Sequence, residues 1–248
     1  MEKKVLDLIL VPTGLLLMFA YHFWLLVRVV KHPTKTVIGV NAIHRRSWVE
    51  AMMEDVPKNG VLAVQSIRNN IMASTLLAST AIMLGSLITV LMGTDNKEKT
   101  VTSESFGDRS QIGLSIKFFS ILVCFMFAFL LNVQSVRYYS HASILINVPF
   151  KKLSQNLSHQ MLTVEYVAAT INRGSYFWSL GLRAFYFSVP LFMWIFGPIP
   201  MLFSCFTLLF MLYFLDVTFE CGWVGADENV VKAEVDKHHI DMEIGKAN

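Results

Sequence analysis

Charged and amide side chains near the ends of the apolar segments are the residues of this chain best suited to chemistry. Guanidinium groups match the oxygens of phosphates and carboxylates, and amides add further donors and acceptors. A charge at the centre of a membrane helix costs about 2.5–3.5 kcal/mol on insertion scales, so each such residue requires a reason. Together they predict an anion-binding site, for a lipid phosphate or a small metabolite. The candidate residues are Arg68, Asn69, Asn132, Arg137, His141, Arg183 and Asp216.

Two of these residues allow a sharper prediction. If the chain turns near Ile199, Arg183 lies 16 residues before the turn and Asp216 lies 17 residues after it. At about 1.5 Å per helical residue, both reach nearly the same depth. The spacing predicts an ion pair between Arg183 and Asp216, or at least a polar layer that they share with Arg68 and Arg137.

A plainer interpretation of the same residues stays open. Gln134, Arg137 and His141 are three and four residues apart, so one face of a helix presents all three. Long basic side chains near the ends of membrane helices commonly extend into the lipid head groups without binding a specific ligand. The arginines therefore predict either a binding site or simple anchoring in the membrane.

Motifs of known catalytic chemistry are absent from the sequence. It has no phosphate-binding or dinucleotide-binding glycine loop, no HExxH and no GxSxG. Cys124, Cys205 and Cys221 form no CxxC or zinc-finger spacing, and the tail residues from His238 to Glu243 match no defined metal site. We therefore expect no enzyme, no catalytic residues, no cofactor and no metal.

The elements that would position the candidate residues are apolar helices. The chain is 54% hydrophobic and 16% charged, whereas soluble domains carry roughly a quarter charged residues. A helix needs about 20 mostly apolar residues to cross a membrane. The sequence predicts an all-α integral membrane helical bundle over residues 1–220, with four to five transmembrane helices, and a polar cytosolic tail over 221–248. The predicted spans are 5–27, 71–92, 112–136, 177–196 and 199–215.

Gly197, Pro198 and Pro200 separate the last two spans. Proline cannot donate to the helix ladder and disfavours a helical residue before it, so this run predicts a tight hairpin between two helices. The alternative is one kinked span followed by a re-entrant segment, because membrane helices tolerate proline.

The basic residues are distributed unevenly between the connections. Residues 28–68 hold seven lysines and arginines, residues 94–111 hold three, and residues 137–183 hold five. The positive-inside rule then places the first and third connections and the tail in the cytosol, with the N-terminus outside.

Two stretches in the basic connections have the periodicity of amphipathic helices. We expect either interfacial helices that lie along the membrane surface or two apolar faces that pack on each other as a small cytosolic subdomain. In the second span, small residues at four-residue spacing predict a helix at the centre of the bundle. The apolar positions of the two stretches are Trp48, Val49, Met52, Met53 and Val56, and Leu153, Leu157, Met161, Val164, Ala168 and Ile171.

The order of several short segments resembles the plant and bacterial membrane-protein family known as domain of unknown function 599. The resemblance covers roughly residues 7–216. It implies a multi-pass membrane protein of a eukaryotic endomembrane or plasma membrane, with no assigned reaction or ligand, so no functional residues carry over. The segments are AVQ at 63–65 with RNNIMAST at 68–75, NVQ at 132–134 with RYYSH at 137–141, FW at 177–178 with GLRAFY at 181–186, and WIFGP at 194–198.

Three functions are compatible with the sequence. The first is the binding of an anionic lipid or small ligand at a cytosolic polar layer. The second is a small transporter or channel subunit, which requires a continuous polar path through the bundle. The third is an adaptor that presents its amphipathic helices and tail to protein partners. We expect membrane lipids as partners and no nucleic acid, and leave open a homo-oligomer or a membrane-protein partner.

Overall fold

The described chain is built from helices. A computed structural model of the chain describes residues 2–95, 111–148 and 157–217. Within these ranges, the predicted all-α class is confirmed. The only β-type pairing among the described residues is one isolated antiparallel bridge between Thr36 and Val217. A short 3-10 turn, Pro33–Lys35, joins the first two helices. The helices are α1 Glu2–Lys31, α2 Val37–Glu54, α3 Val56–Asp95, α4 Gln111–Leu145, α5 Leu157–Met193 and α6 Pro198–Asp216.

Among the described residues, four helical segments are long and apolar enough to cross a membrane. They are Leu6–Lys31, Val56–Gly93, Ile112–Leu145 and Pro198–Asp216, and they contain most or all of four predicted spans. The remaining predicted span, 177–196, lies on α5 and the turn after it, and α5 is not among the four. The surfaces of these helices expose large apolar side chains, as expected where lipid replaces water.

A tight turn joins α5 to α6 at the predicted position. Helix α5 ends at Met193, and α6 begins at Pro198, where a missing N–H costs nothing because the first helical N–H groups lack partners anyway. Gly197 precedes it with φ 148°, a backbone region that favours glycine. The turn brings α6 back along α5.

Helix α5 lies at the centre of the bundle. It packs against α2, α4 and α6, whereas α3 packs mainly on α4 and α1 mainly on α6. The expectation that the second span is central is therefore wrong. The small residues of α3 do allow close approach, since the Ser74 and Ser135 hydroxyls are 3.0 Å apart and Gly85 faces Leu122. They permit contact with one neighbour and do not determine how many neighbours a helix has.

The two predicted amphipathic faces pack on each other, as the second expected arrangement has it, but within the bundle and not as a separate subdomain. Val49 and Met53 of α2 share a buried apolar cluster with Val167, Ala168 and Ile171 of α5. The stretches therefore extend the bundle: α5 runs without a break from residue 157, and α3 begins at residue 56. Leu153 and the predicted tail, 221–248, lie outside the described residues.

Candidate functional site

Arg183 and Asp216 form a buried ion pair, as the sequence predicts. The Arg183 Nη2 donates to Asp216 Oδ1 at 2.5 Å, and the two side chains are 11% and 7% exposed. The Tyr21 hydroxyl of α1 donates to the other carboxylate oxygen at 2.8 Å. Both oxygens of Asp216 are therefore occupied, and three helices meet at this carboxylate.

Short connections bring the elements of the site together. The hairpin at Gly197 places Arg183 and Asp216 at one depth on adjacent helices. The bridge between Thr36 and Val217 then joins the start of α2 to the end of α6. Consequently α2 lies across the same end of the bundle as the ion pair.

A cavity of about 300 Å³ opens between α2, α5 and α6 beside the ion pair. Its walls combine polar and aromatic side chains with aliphatic ones, a composition typical of ligand pockets. The polar and aromatic residues are Asn41, Arg45, Ser175, Tyr176, Trp178, Ser179, Arg183, Tyr186 and Asp216, and the aliphatic residues are Val37, Ile38, Leu182, Leu212 and Leu215.

Two N–H donors of cavity-lining residues lack acceptors. The Arg183 Nη1 and the Trp178 Nε1 are buried and have no hydrogen-bond partner in the part of the chain that the structure describes. A buried donor without an acceptor costs about 1–3 kcal/mol, and more when it is charged. Both nitrogens belong to residues that line the cavity.

Arg45 adds a second guanidinium to the cavity. Its Nε donates to Asn172 Oδ1 at 2.8 Å, and the Asn172 amide donates to the Ala42 carbonyl at 3.2 Å, which fixes the arginine between α2 and α5. Burial lowers the pKa of Arg45, because loss of water disfavours its charged form. Among the described residues no carboxylate pairs with it. An anion in the cavity would offset that loss of hydration.

Four of the predicted site residues lie away from this cavity. Arg68 and Asn69 of α3 and Arg137 and His141 of α4 are exposed. A His141 ring nitrogen lies 3.4 Å from the Tyr166 hydroxyl. The predicted polar layer is therefore divided: Arg183 and Asp216 line the cavity, and these four residues do not.

Asn132 is fully buried but belongs to a helix contact. Its Nδ2 donates to the Ala128 carbonyl at 2.8 Å, and its Oδ1 has no partner among the described residues. The amide packs against Gly181 of α5, where an added Cβ would lie 2.4 Å from Nδ2. Asn132 therefore sets the approach of α4 to α5 and does not line the cavity.

Sequence reasoning missed Arg45 and Trp178 as site residues. For Arg45 a signal existed, because it precedes Val49 by four residues and Met52 by seven, so it lies on the apolar face of α2. Its neighbour Arg46 lies on the polar face and pairs with Glu165 at the surface. An arginine on an apolar face indicates a buried partner or ligand. For Trp178 no comparable signal exists.

The donor set of the cavity favours an anion over a metal ion. Its walls carry two guanidinium groups, and their one carboxylate already accepts from two donors. Within the described ranges, no three histidine, cysteine, aspartate or glutamate side chains come together as metal ligands.

Comparisons with known proteins identify a family. Neither the curated proteins nor the solved structures contain a match to the chain. A family model described as "Protein of unknown function, DUF599" matches residues 9–221, which is most of the sequence and confirms the resemblance seen in the sequence. The chain therefore belongs to the DUF599 family.

Proposed function

We propose that this chain is a multi-pass membrane protein that binds an oxyanion in the cavity between α2, α5 and α6. The observation that carries the proposal is the convergence of two guanidinium groups and an indole on one cavity. Arg45, Arg183 and Trp178 line it, and the Arg183 Nη1 and the Trp178 Nε1 have no acceptor among the described residues. Charge-assisted hydrogen bonds to an anion would satisfy them, and these are the stronger class of hydrogen bond.

Basic residues at this end of the bundle, outside the cavity lining, support a cytosolic location. Arg28 and Lys31 lie in the last turn of α1, and Lys35 lies in the 3-10 turn that follows. The bridge from Thr36 to Val217 holds this connection beside the end of α6. Under the positive-inside rule, that end of the bundle faces the cytosol and is accessible to cytosolic anions and to the head groups of the inner leaflet.

Anion retention by adjacent arginine variants tests the proposal. The full-length protein is released from native-lipid nanodiscs and examined by native mass spectrometry as wild type, Arg45→Gln and Arg46→Gln. We expect wild type and Arg46→Gln to retain a bound anion and Arg45→Gln to lose it by about tenfold or more, since a hydrogen bond to a charged group contributes about 1.5–3 kcal/mol.

Arg46 is the matched control because it is the same residue type one position away and its partner is a surface carboxylate. A second variant, Trp178→Phe, keeps an aromatic ring and removes the indole N–H, and should weaken retention in the same direction. Circular dichroism of each variant checks that the helices are intact. Equal retention by Arg45→Gln and Arg46→Gln, or a wild type without any anion, would overturn the proposal.

A further inference from the structure

We infer that the anion is the phosphodiester head group of a membrane phospholipid with one net negative charge. This inference rests on the proposed function and specifies its ligand class. Four observations carry it: the charge of the cavity walls, the occupied carboxylate, the place where the cavity meets the outer surface of α6, and the aromatic residues near the same depth.

The formal charge of the cavity favours a monoanion. Of its lining residues, Arg45 and Arg183 are positive and Asp216 is negative, which leaves one positive charge to neutralise. A phosphodiester carries one negative charge, whereas a phosphate monoester carries about 1.5–2 near neutral pH. The second charge of a monoester would be buried without a partner, which is costly. Charge balance therefore selects a diester over a monoester.

The occupied carboxylate disfavours a zwitterionic head group. A choline or ethanolamine ammonium needs an anionic partner when it leaves water. Asp216 is the one carboxylate of the cavity walls, and its oxygens already accept from Arg183 and Tyr21. A zwitterionic lipid would bring a cation that the cavity walls do not pair, so a lipid with a neutral polar group beyond the phosphate fits better.

The cavity meets an apolar outer surface at Leu215. This residue lines the cavity and is also 53% exposed. Its neighbours on α6, Met211 and Phe214, are exposed too, and α6 is apolar enough to cross a membrane. Acyl chains attached to a head group in the cavity could leave past Leu215 and follow this surface. A water-soluble phosphodiester has no acyl chains and would gain no binding free energy from this apolar surface.

Aromatic residues beside the cavity mark the depth of the lipid head groups. Trp24 of α1 stacks on Tyr213 of α6 at 6.4 Å, and the Arg28 guanidinium lies 5.0 Å from the Trp24 ring. Amphipathic rings of this kind concentrate at membrane–water interfaces. Tyr213 precedes Asp216 by less than one helical turn, so the ion pair and its cavity lie near this level.

Lipid competition in nanodiscs of defined composition tests the inference. The full-length protein is placed in phosphatidylcholine nanodiscs that contain equal small fractions of phosphatidylglycerol, phosphatidic acid and phosphatidylethanolamine, and retained lipid is counted by native mass spectrometry. A parallel arm adds water-soluble glycerophosphoglycerol to the delipidated protein in detergent. We expect phosphatidylglycerol to be enriched about tenfold over the other lipids, which corresponds to about 1.4 kcal/mol, and the soluble diester to bind more weakly.

The outcomes separate this inference from the proposed function. If phosphatidic acid were retained as well as or better than phosphatidylglycerol, the preference for a diester over a monoester would be wrong. If glycerophosphoglycerol bound as well as phosphatidylglycerol, the assignment of the anion to a membrane lipid would be wrong. In both cases a loss of the anion in Arg45→Gln, with retention in Arg46→Gln, would leave the proposed function standing. If phosphatidylglycerol were retained alike by both variants, the cavity would not be its site and the proposed function would fail as well.

Discussion

The two faces of α5 meet their neighbours in opposite ways. Toward α4 the contact is close and uncharged. A Cβ at Gly181 would lie 2.4 Å from the Asn132 amide, one at Gly174 would lie 3.1 Å from the Tyr139 ring, and the Ser135 hydroxyl donates to the Gly174 carbonyl at 2.8 Å. Here small residues let two backbones approach, and short hydrogen bonds join them.

Toward α2 and α6 the same helix has a charged contact and borders a cavity. Arg183 pairs with Asp216, Trp178 has an unsatisfied indole N–H, and a cavity of about 300 Å³ separates the helices. A bundle that needed only stability would close this gap with apolar side chains, since a buried ion pair is weak evidence for stability. The contrast indicates that the α4 face holds the fold together, and under the proposed function the other face is kept open for a ligand.

The largest expected effect comes from breaking the charged contact. Asp216→Asn leaves Arg183 buried without a counter-ion and should lower the free energy of unfolding by about 3 kcal/mol, in the range found when one partner of a buried pair is removed. Unfolding in mixed micelles with increasing dodecyl sulfate, followed by circular dichroism, measures the change.

A double variant decides whether the unpaired charge of Arg183 causes the loss of stability in Asp216→Asn. Arg183→Met combined with Asp216→Leu removes both charges at similar volume, and should recover most of the stability that Asp216→Asn loses. If the double variant is less stable than Asp216→Asn, the ion pair does not explain the loss, and the charged face would be a structural contact like the neutral one.

Part of this contrast could be predicted from the sequence. The depth argument for Arg183 and Asp216 is confirmed because their helices are joined by a short turn, which couples the positions of both. Arg68 and Arg137 were assigned to the same layer by depth alone. Depth along a helix does not determine the direction in which a side chain points, and long-range packing of α3 and α4 leaves both residues exposed.

Other features depend on contacts that local sequence does not encode. Composition and span length predict an all-α bundle, but small residues on α3 indicate close packing without identifying α5 as the central helix. The amphipathic faces fit either a membrane surface or each other, because both bury the same apolar side chains. Arg45 could have been recognised by its position on the apolar face of α2, whereas Trp178 becomes a site residue only once α2 and α6 meet α5.

The next effect in size tests the close contact of α5 with α4. Gly181→Ala places a methyl group against the buried Asn132 amide, which cannot move without losing its bond to the Ala128 carbonyl. We expect a loss of about 2 kcal/mol in unfolding free energy, within the usual cost of overpacking. Anion retention should be less affected than by Arg45→Gln.

Gly93→Ala is the matched control, because a Cβ at Gly93 meets nothing within 4 Å. In a helix this substitution should be neutral or stabilise by up to about 1 kcal/mol. Combining Gly181→Ala with Asn132→Ala should relieve the clash and restore part of the loss. A tolerated Gly181→Ala would show that the α4 face has room to adjust, and the contrast between the two faces would weaken.

A smaller effect is expected from the hydrogen bonds of the neutral face. Ser135→Ala removes the bond to the Gly174 carbonyl and the contact with the Ser74 hydroxyl. Hydrogen bonds between membrane helices contribute about 0.6 kcal/mol on average, so we expect a loss of about 1 kcal/mol by the same unfolding measurement. Ser120→Ala, on the exposed side of α4, should change stability by less than half as much, because Ser120 bonds only to its own helix.

The smallest effect is expected from the arginines that the structure leaves exposed. Arg68→Gln and Arg137→Gln remove charges from α3 and α4 without breaking a described polar contact, so each should change the unfolding free energy by no more than about 0.5 kcal/mol. Both variants should also retain the anion as wild type does, because neither residue lines the cavity. Unfolding and native mass spectrometry of the two variants, run beside Arg45→Gln, check both statements. Loss of the anion in Arg137→Gln to the extent seen in Arg45→Gln would contradict this expectation. The exposed arginines and those of the cavity would then act on one ligand, and a bound head group would have to extend from the cavity across α5 to α4.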